Sequence, residues 1–299
     1  MRILVTGAGG FFGRHLVDTL SRRRHEVLRL TRGATDPKDP RLLRWDPALG
    51  SLDPAALDVD AVVHLAGEGI AQGRWNAAVK QRLRDSRVGP TRLLVAALAA
   101  RPRPPKVFLA ASAVGYYGDR GAADLDESSP QGADFLAGLC GEWERESLRA
   151  AEAGMRTVVA RFGLILGPDG GVLRRLLLPF RLGLGGRLGS GRQWISWIAV
   201  DDAVRAVEQL LGDPGHAGVY NLTSPNPVTN AQFTQSLGRT LNRPAPIPLP
   251  GFALRLAYGE MATALLLAGQ KAHPARLKTA GFKWELPYVG EAMNHILKA

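Results

Sequence analysis

Short apolar runs bounded by glycine, proline or charge alternate with amphipathic stretches through the first two thirds of the chain. The runs predict strands at Arg2–Thr6, Glu26–Thr31, Ala61–Leu65, Lys106–Ala111 and Thr157–Phe162, and the amphipathic stretches predict helices near Gly13–Arg24, Gly89–Ala100 and Gly141–Ala153. Strand runs alternating with helical stretches give βαβ units, hence an α/β fold with a doubly wound parallel sheet covered on both faces.

The texture changes after Gly167. A turn at Pro168–Gly171 leads into an amphipathic stretch, Val172–Leu182, and then a glycine-rich loop, Gly183–Gly191. Trp197–Val200 reads as a short returning strand. Asp201 and Asp202 read as the cap of a helix reaching Leu211, and Gly218–Leu222 as a further strand. Thr229 and Asn230 cap a helix over Ala231–Leu241, and a proline-rich crossing, Pro244–Pro250, precedes an apolar helix ending near Gly269. The expected organisation is therefore residues 1–170, rejoined by 196–224, as a core domain. A smaller, mostly helical domain is made of 171–195 and 225–299.

Composition narrows the class. With 299 residues and 45% hydrophobic side chains, the chain can fill a core without staples. Its single cysteine, Cys140, excludes an internal disulfide and any multi-cysteine metal centre, and no metal site is expected. The first residues enter a strand directly, which points to the cytoplasm. No apolar stretch has the roughly 18 to 20 residues of a membrane span, since Arg255 and Glu260 interrupt the best one, so no membrane partner is expected. The net charge of +11 comes from scattered cations, 31 Arg against 7 Lys, rather than from a basic stripe, which argues against nucleic acid as a partner.

Gly7, Gly10 and Gly13 stand as G-x-x-G-x-x-G directly after the first strand and at the mouth of a helix. In a Rossmann-type turn the first glycine permits the tight bend, the second lets a pyrophosphate approach the backbone, and the third lets helix and strand pack closely. The N–H groups of the turn and first helical residues, Phe11 and Phe12 included, then face the anion. The tip of the second strand chooses the cofactor, because a carboxylate there holds the ribose hydroxyl of NAD and an arginine holds the phosphate of NADP. Here the chain reads Leu30-Thr31-Arg32-Gly33 without an acid, which selects NADP(H).

The segments VTGAGGFFG (residues 5–13), HLAG (64–67) and AAS (110–112) resemble the extended short-chain dehydrogenases/reductases. Further segments, LAGEGIAQGRW (65–75), DSR (85–87), DFLAGLCGEWE (134–144), RFGLILG (161–167) and PFRLGLGGRLGSGRQWISWI (179–198), are similar to the NAD-dependent epimerase/dehydratase-type subgroup of unassigned substrate. The C-terminal GQKAHPARLKTAGF (269–282) matches that subgroup's extra segment, so the resemblance spans essentially the whole chain. It implies cofactor contacts from the glycine turn, from Thr31 and Arg32, from Leu65, Ala66 and Gly67 beside the adenosine ribose, from Arg87, and from Ile165 beside the nicotinamide.

The resemblance also implies a Tyr-x-x-x-Lys pair that this chain lacks. None of its five tyrosines has a lysine four residues on, and Leu136 and Cys140 stand at the two positions. Ser112 fits the serine that polarises a substrate carbonyl in such proteins. Three alternatives stay open for the proton: Tyr116 or Tyr117 as donor, Glu68 as base, or no proton transfer at all. The loop Gly183–Gly191, with Arg181, Arg187 and Arg192, suits an anionic small-molecule substrate. The resemblance also implies a homodimer through the helices near Gly89 and Gly141, as relatives often form. Two functions follow: an NADP(H)-dependent oxidoreductase or epimerase, or a non-catalytic NADP(H)-binding sensor.

Overall fold

The computed structural model describes residues 1–298. The elements run β1 (Arg2–Thr6), α1 (Phe11–Arg22), β2 (Glu26–Thr31), β3 (Leu42–Asp46), β4 (Ser51–Leu52), β5 (Ala61–His64), α2 (Ala77–Asp85), α3 (Val88–Ala99), β6 (Val107–Ala113), β7 (Asp124–Leu125), α4 (Phe135–Leu148), β8 (Arg156–Phe162) and β9 (Leu164–Leu166). They continue with α5 (Gly171–Arg181), β10 (Trp194–Ile195), β11 (Trp197–Ala199), α6 (Val200–Gly212), β12 (Gly218–Leu222), β13 (Val228–Thr229), α7 (Asn230–Thr240), α8 (Gly251–Tyr258), β14 (Lys271–Ala272), α9 (Ala275–Thr279) and α10 (Val289–Lys298). A single π turn, Ala262–Leu267, follows α8.

Eight strands form one sheet in the order β12-β8-β6-β5-β1-β2-β3-β4, parallel except for the β3–β4 edge. Successive side chains on a strand point to opposite faces, and here both faces are buried. Ile3 and Val5 of β1 join Leu16 and Leu20 of α1 and Val207 and Leu210 of α6 in one core, whereas Leu4 joins Leu94 and Leu98 of α3 in the other. The order reverses between β1 and β5, and that reversal opens a crevice at the carboxyl ends of the strands. A third apolar cluster ties α5, α7 and α10 together through Leu173, Phe180, Phe233, Leu237, Met293 and Ile296. No helix among the described residues is long and apolar enough to cross a membrane.

Two expected helix starts differ. The helix expected at Gly141 begins at Phe135, because the Asp134 carboxylate accepts the Ala137 amide at 2.9 Å and caps it six residues earlier. Nor do Asp201 and Asp202 cap α6, which starts at Val200 after Ala199. The buried Asp202 carboxylate instead accepts the amides of Glu285 and Leu286 at 2.9 and 3.0 Å, tying the C-terminal segment to α6.

Candidate cofactor cleft

The turn between β1 and α1 is built by backbone proximity. Gly7 sits at φ 68°, and a Cβ on it would lie 2.8 Å from the Leu65 carbonyl carbon. A Cβ on Gly13 would lie 2.3 Å from the Gly7 oxygen, so only hydrogen fits. Gly10 donates its amide back to Gly7 at 3.0 Å, and no side chain among the described residues caps α1. The first amides of the helix therefore face the crevice with the positive end of the helix dipole behind them, a fit for a pyrophosphate. Open space surrounds Gly9 at the turn's crest.

Phe11 and Phe12 point away from that anion position. Phe12 packs on Phe162 with ring centroids 4.9 Å apart, and the Phe11 ring occupies the space left by Gly167, Gly170 and Gly171 in the loop after β9. Arg14 and His15 reach Asp169 of the same loop at 3.2 and 2.8 Å, and these partners hold the Asp169 carboxyl below its ordinary range. Ile165 lies on β9, half-buried and paired with Ile198 of β11.

Thr31 ends β2 with its Oγ1 accepting the Gly33 amide at 3.1 Å, and Arg32 beside it is exposed. On the other side of β1, Thr6 Oγ1 accepts the amides of Leu65 and Ala66, both at 3.1 Å. With those donors in place the Thr6 hydroxyl gives its proton to His64 Nδ1 at 2.8 Å, leaving Nε2–H to face Thr91 Oγ1 at 2.8 Å. Thr91 Oγ1 also accepts from Trp143 Nε1 and passes its own proton to the Arg87 carbonyl at 2.6 Å. Arg87 curls back, donating Nη2 to the Glu68 carbonyl at 2.8 Å and filling the space beside Gly67. The segments 64–68 and 87–91 are thus held by one directed chain through a fully buried histidine.

Deeper in the cleft lies a buried charge pair that the sequence reading missed. Arg161 of β8 forks onto Glu144 of α4, Nε to Oε1 at 2.8 Å and Nη2 to Oε2 at 2.7 Å, with both side chains nearly inaccessible. Ser112 Oγ donates to Glu144 Oε1 at 2.5 Å. Tyr117 accepts from Arg161 Nη1 at 3.0 Å and donates to Asn221 Oδ1 at 2.7 Å. Burial pushes the Tyr117 hydroxyl up to about 12. Burial opposes charge on Arg161, but Glu144 outweighs it and holds the guanidinium above its ordinary pKa. Tyr116 differs: it is half-buried, and its ring lies over Arg161, whose Cζ is 3.4 Å from the ring centroid.

Leu136 and Cys140 are buried on α4, and burial pushes the Cys140 thiol up to about 12. Glu68 faces Arg82 across 3.6 Å. In the loop Gly183–Gly191, Gly183, Gly189 and Gly191 already spend their amides on the carbonyls of Phe180, Leu249 and Leu188. Arg187 within it and Arg181 and Arg192 flanking it are exposed.

Residues 3–223 match the NAD dependent epimerase/dehydratase family, and residues 249–296 match a separate domain of unknown function. The chain is 47% identical over 294 residues to epimerase family protein Mb2239 of Mycobacterium bovis, covering 98% of this chain and 96% of that one. It is 38% identical over 300 residues to human epimerase family protein SDR39U1, covering 99% and 100%. A crystal structure of human SDR39U1 (isoform 2) with NADPH superimposes with a TM-score of 0.91 at 37% identity, covering 100% of this chain and 99% of that one.

Proposed function

The chain belongs to the NAD dependent epimerase/dehydratase family, and we propose that it binds NADP(H) in the crevice beside β1 and acts as an oxidoreductase or epimerase on a small-molecule substrate. The observation that carries this reading is the start of α1, with no side-chain cap among the described residues, behind a turn whose Gly7 and Gly13 leave no room for a side chain, at the reversal of the sheet order. Arg32, at a strand tip that carries no acid, supplies the cation for the ribose phosphate. The human relative's structure with NADPH supports the choice of cofactor.

In this reading the nicotinamide, once bound, supplies hydride chemistry. The chain's own residues divide into holders and one proton carrier. The turn amides of Phe11, Phe12 and Gly13 hold the pyrophosphate, Leu65 to Gly67 and Arg87 flank the adenosine half, and Ile165 borders the nicotinamide half. Tyr116 is the hydroxyl that moves a proton at the substrate oxygen, held in place by the Arg161 guanidinium under its ring. Ser112 and Tyr117 anchor that guanidinium through Glu144 and directly, and the unit built from α5, α7 and α10 borders the substrate.

A second reading, a cofactor-binding sensor without turnover, is favoured by one observation. The hydroxyls of Ser112 and Tyr117 are both spent on protein partners. Calorimetry with NADPH and NADH on the wild type and Arg32→Ala tests the cofactor: a preference for NADPH that Arg32→Ala removes is expected, and equal affinity in the wild type overturns it. Oxidation of bound NADPH across a panel of small carbonyl compounds, lost in Tyr116→Phe, separates enzyme from sensor.

A further inference from the structure

Segments 170–200 and 225–259 contain no Asp or Glu and carry eight arginines. None of those arginines forms an ion pair among the described residues. The same two segments hold eight of the twelve large hydrophobic side chains that stand exposed on the described molecule, including Leu182 at 64%, Phe252 at 73% and Leu256 at 75%. Elsewhere the arginines behave differently, pairing with Asp39, Asp58, Glu142 and Glu146.

Hydrogen bonds stitch the two segments into one surface. Ile247 donates to Gly185, Leu249 to Arg187 and Gly189 back to Leu249 at 3.2, 2.9 and 2.8 Å, and Arg243 Nε reaches the Arg181 carbonyl at 3.2 Å. The exposed end of α5 (Leu178, Leu182) therefore adjoins the proline-rich crossing (Ile247, Leu249) and the face of α8 where Phe252 and Leu256 stand one turn apart. Beside them a groove of about 780 Å³ is lined by Arg187, Arg239, Arg243, Gln235, Asn242 and Pro246.

We propose that this face docks on an anionic lipid bilayer, with Phe252, Leu256 and the α5 leucines entering the interface and Arg181, Arg187, Arg239, Arg243 and Arg255 meeting headgroup phosphates. Charge and apolar area select this occupant together. A second copy of the chain would set arginine against arginine with no acid to relieve either, and a nucleic acid would leave the Phe and Leu side chains without an apolar partner. A bilayer surface offers phosphate and hydrocarbon at adjacent depths. The expectation of no membrane partner rested on spanning segments; this is attachment at the surface, by residues other than those of the cofactor turn.

The test is flotation of the full chain with vesicles of phosphatidylcholine alone and of phosphatidylcholine mixed with phosphatidylglycerol. Binding to the mixed vesicles only, weakening as salt rises, is expected. Arg239→Gln with Arg243→Gln should lower partitioning about fivefold per charge. Phe252→Ser with Leu256→Ser, both on exposed positions and charge-neutral, should lower it as well, with thermal unfolding unchanged. Protein left behind by the mixed vesicles at low salt overturns the proposal. Binding untouched by Phe252→Ser and Leu256→Ser, accompanied by equal affinity for duplex DNA, reassigns the face to a polyanion. A dimer in sedimentation that Leu256→Ser dissociates reassigns it to a second copy.

Discussion

Thr6 and His64 hold each other in one protonation pattern: two backbone amides already point at Thr6 Oγ1, so its hydroxyl proton lies on the 2.8 Å contact to His64 Nδ1. His64 is consequently a neutral imidazole with its proton on Nε2, and burial lowers its pKa from 6.5 to about 4.

A pH dependence follows. Above pH 6.5 His64 is neutral in folded and unfolded chains alike and contributes no slope. Below it the unfolded chain takes up a proton that the folded chain refuses until about pH 4, so stability is lost as pH falls through that window. The slope approaches roughly 1.4 kcal/mol per pH unit, for a loss on the order of 3 kcal/mol across the window. Urea midpoints at pH 7 and pH 5 should differ in the wild type and differ less in His64→Gln; equal wild-type midpoints would refute the assignment.

Glu144 matters most through what its loss leaves behind. Glu144→Ala strands the Arg161 guanidinium in a site that excludes water, at a cost of roughly 3 to 5 kcal/mol. Replacing both partners, Glu144→Leu with Arg161→Met, removes the stranded charge and should recover most of that loss. Chemical denaturation of the three variants measures it, and a double variant no better than Glu144→Ala would show that the pair is not the determinant.

The glycine turn makes opposite predictions at neighbouring positions. Gly13→Ala drives a methyl against the Gly7 carbonyl, a backbone atom that cannot swing away, and should cost roughly 1 to 3 kcal/mol of stability together with NADPH affinity. Gly9→Ala meets nothing within 4 Å and should leave thermal unfolding unchanged. Thermal melts of the two variants with and without NADPH decide the point.

The two adjacent tyrosines should separate cleanly. Tyr117→Phe leaves Asn221 and Arg161 each short of a buried partner and should lower stability by roughly 1 to 3 kcal/mol. Tyr116→Phe removes a hydroxyl that no group among the described residues engages and should leave stability unchanged while abolishing any NADPH-linked turnover. Turnover surviving in Tyr116→Phe would remove its proposed role.

The strands that carry the cleft were legible because a parallel sheet buried on both faces writes itself as near-continuous apolar runs, as at Arg2–Thr6 and Glu26–Thr31. Helix α2 escaped because only Leu83 is buried on it, so no apolar stripe marks its nine residues. Strand β3, next to the sheet edge, escaped for a related reason: Arg44 breaks its apolar run after two leucines and Asp46 closes it. Glu144 lies on helix α4, and its partner Arg161 lies within a strand 17 residues on. Nothing in local pattern marks a charge whose partner arrives through tertiary packing. The same holds for Arg14 and Asp169, 155 residues apart.

That last pair belongs to a larger coupling. The ring of Phe11, first residue of the helix whose amides face the pyrophosphate position, is the plug in a socket made by three glycines more than 150 positions later. In the proposed binding mode, where Ile165 borders the nicotinamide half, this plug would pass a displacement at the phosphate end to the loop after β9, so that the two halves of the dinucleotide would be gripped as one.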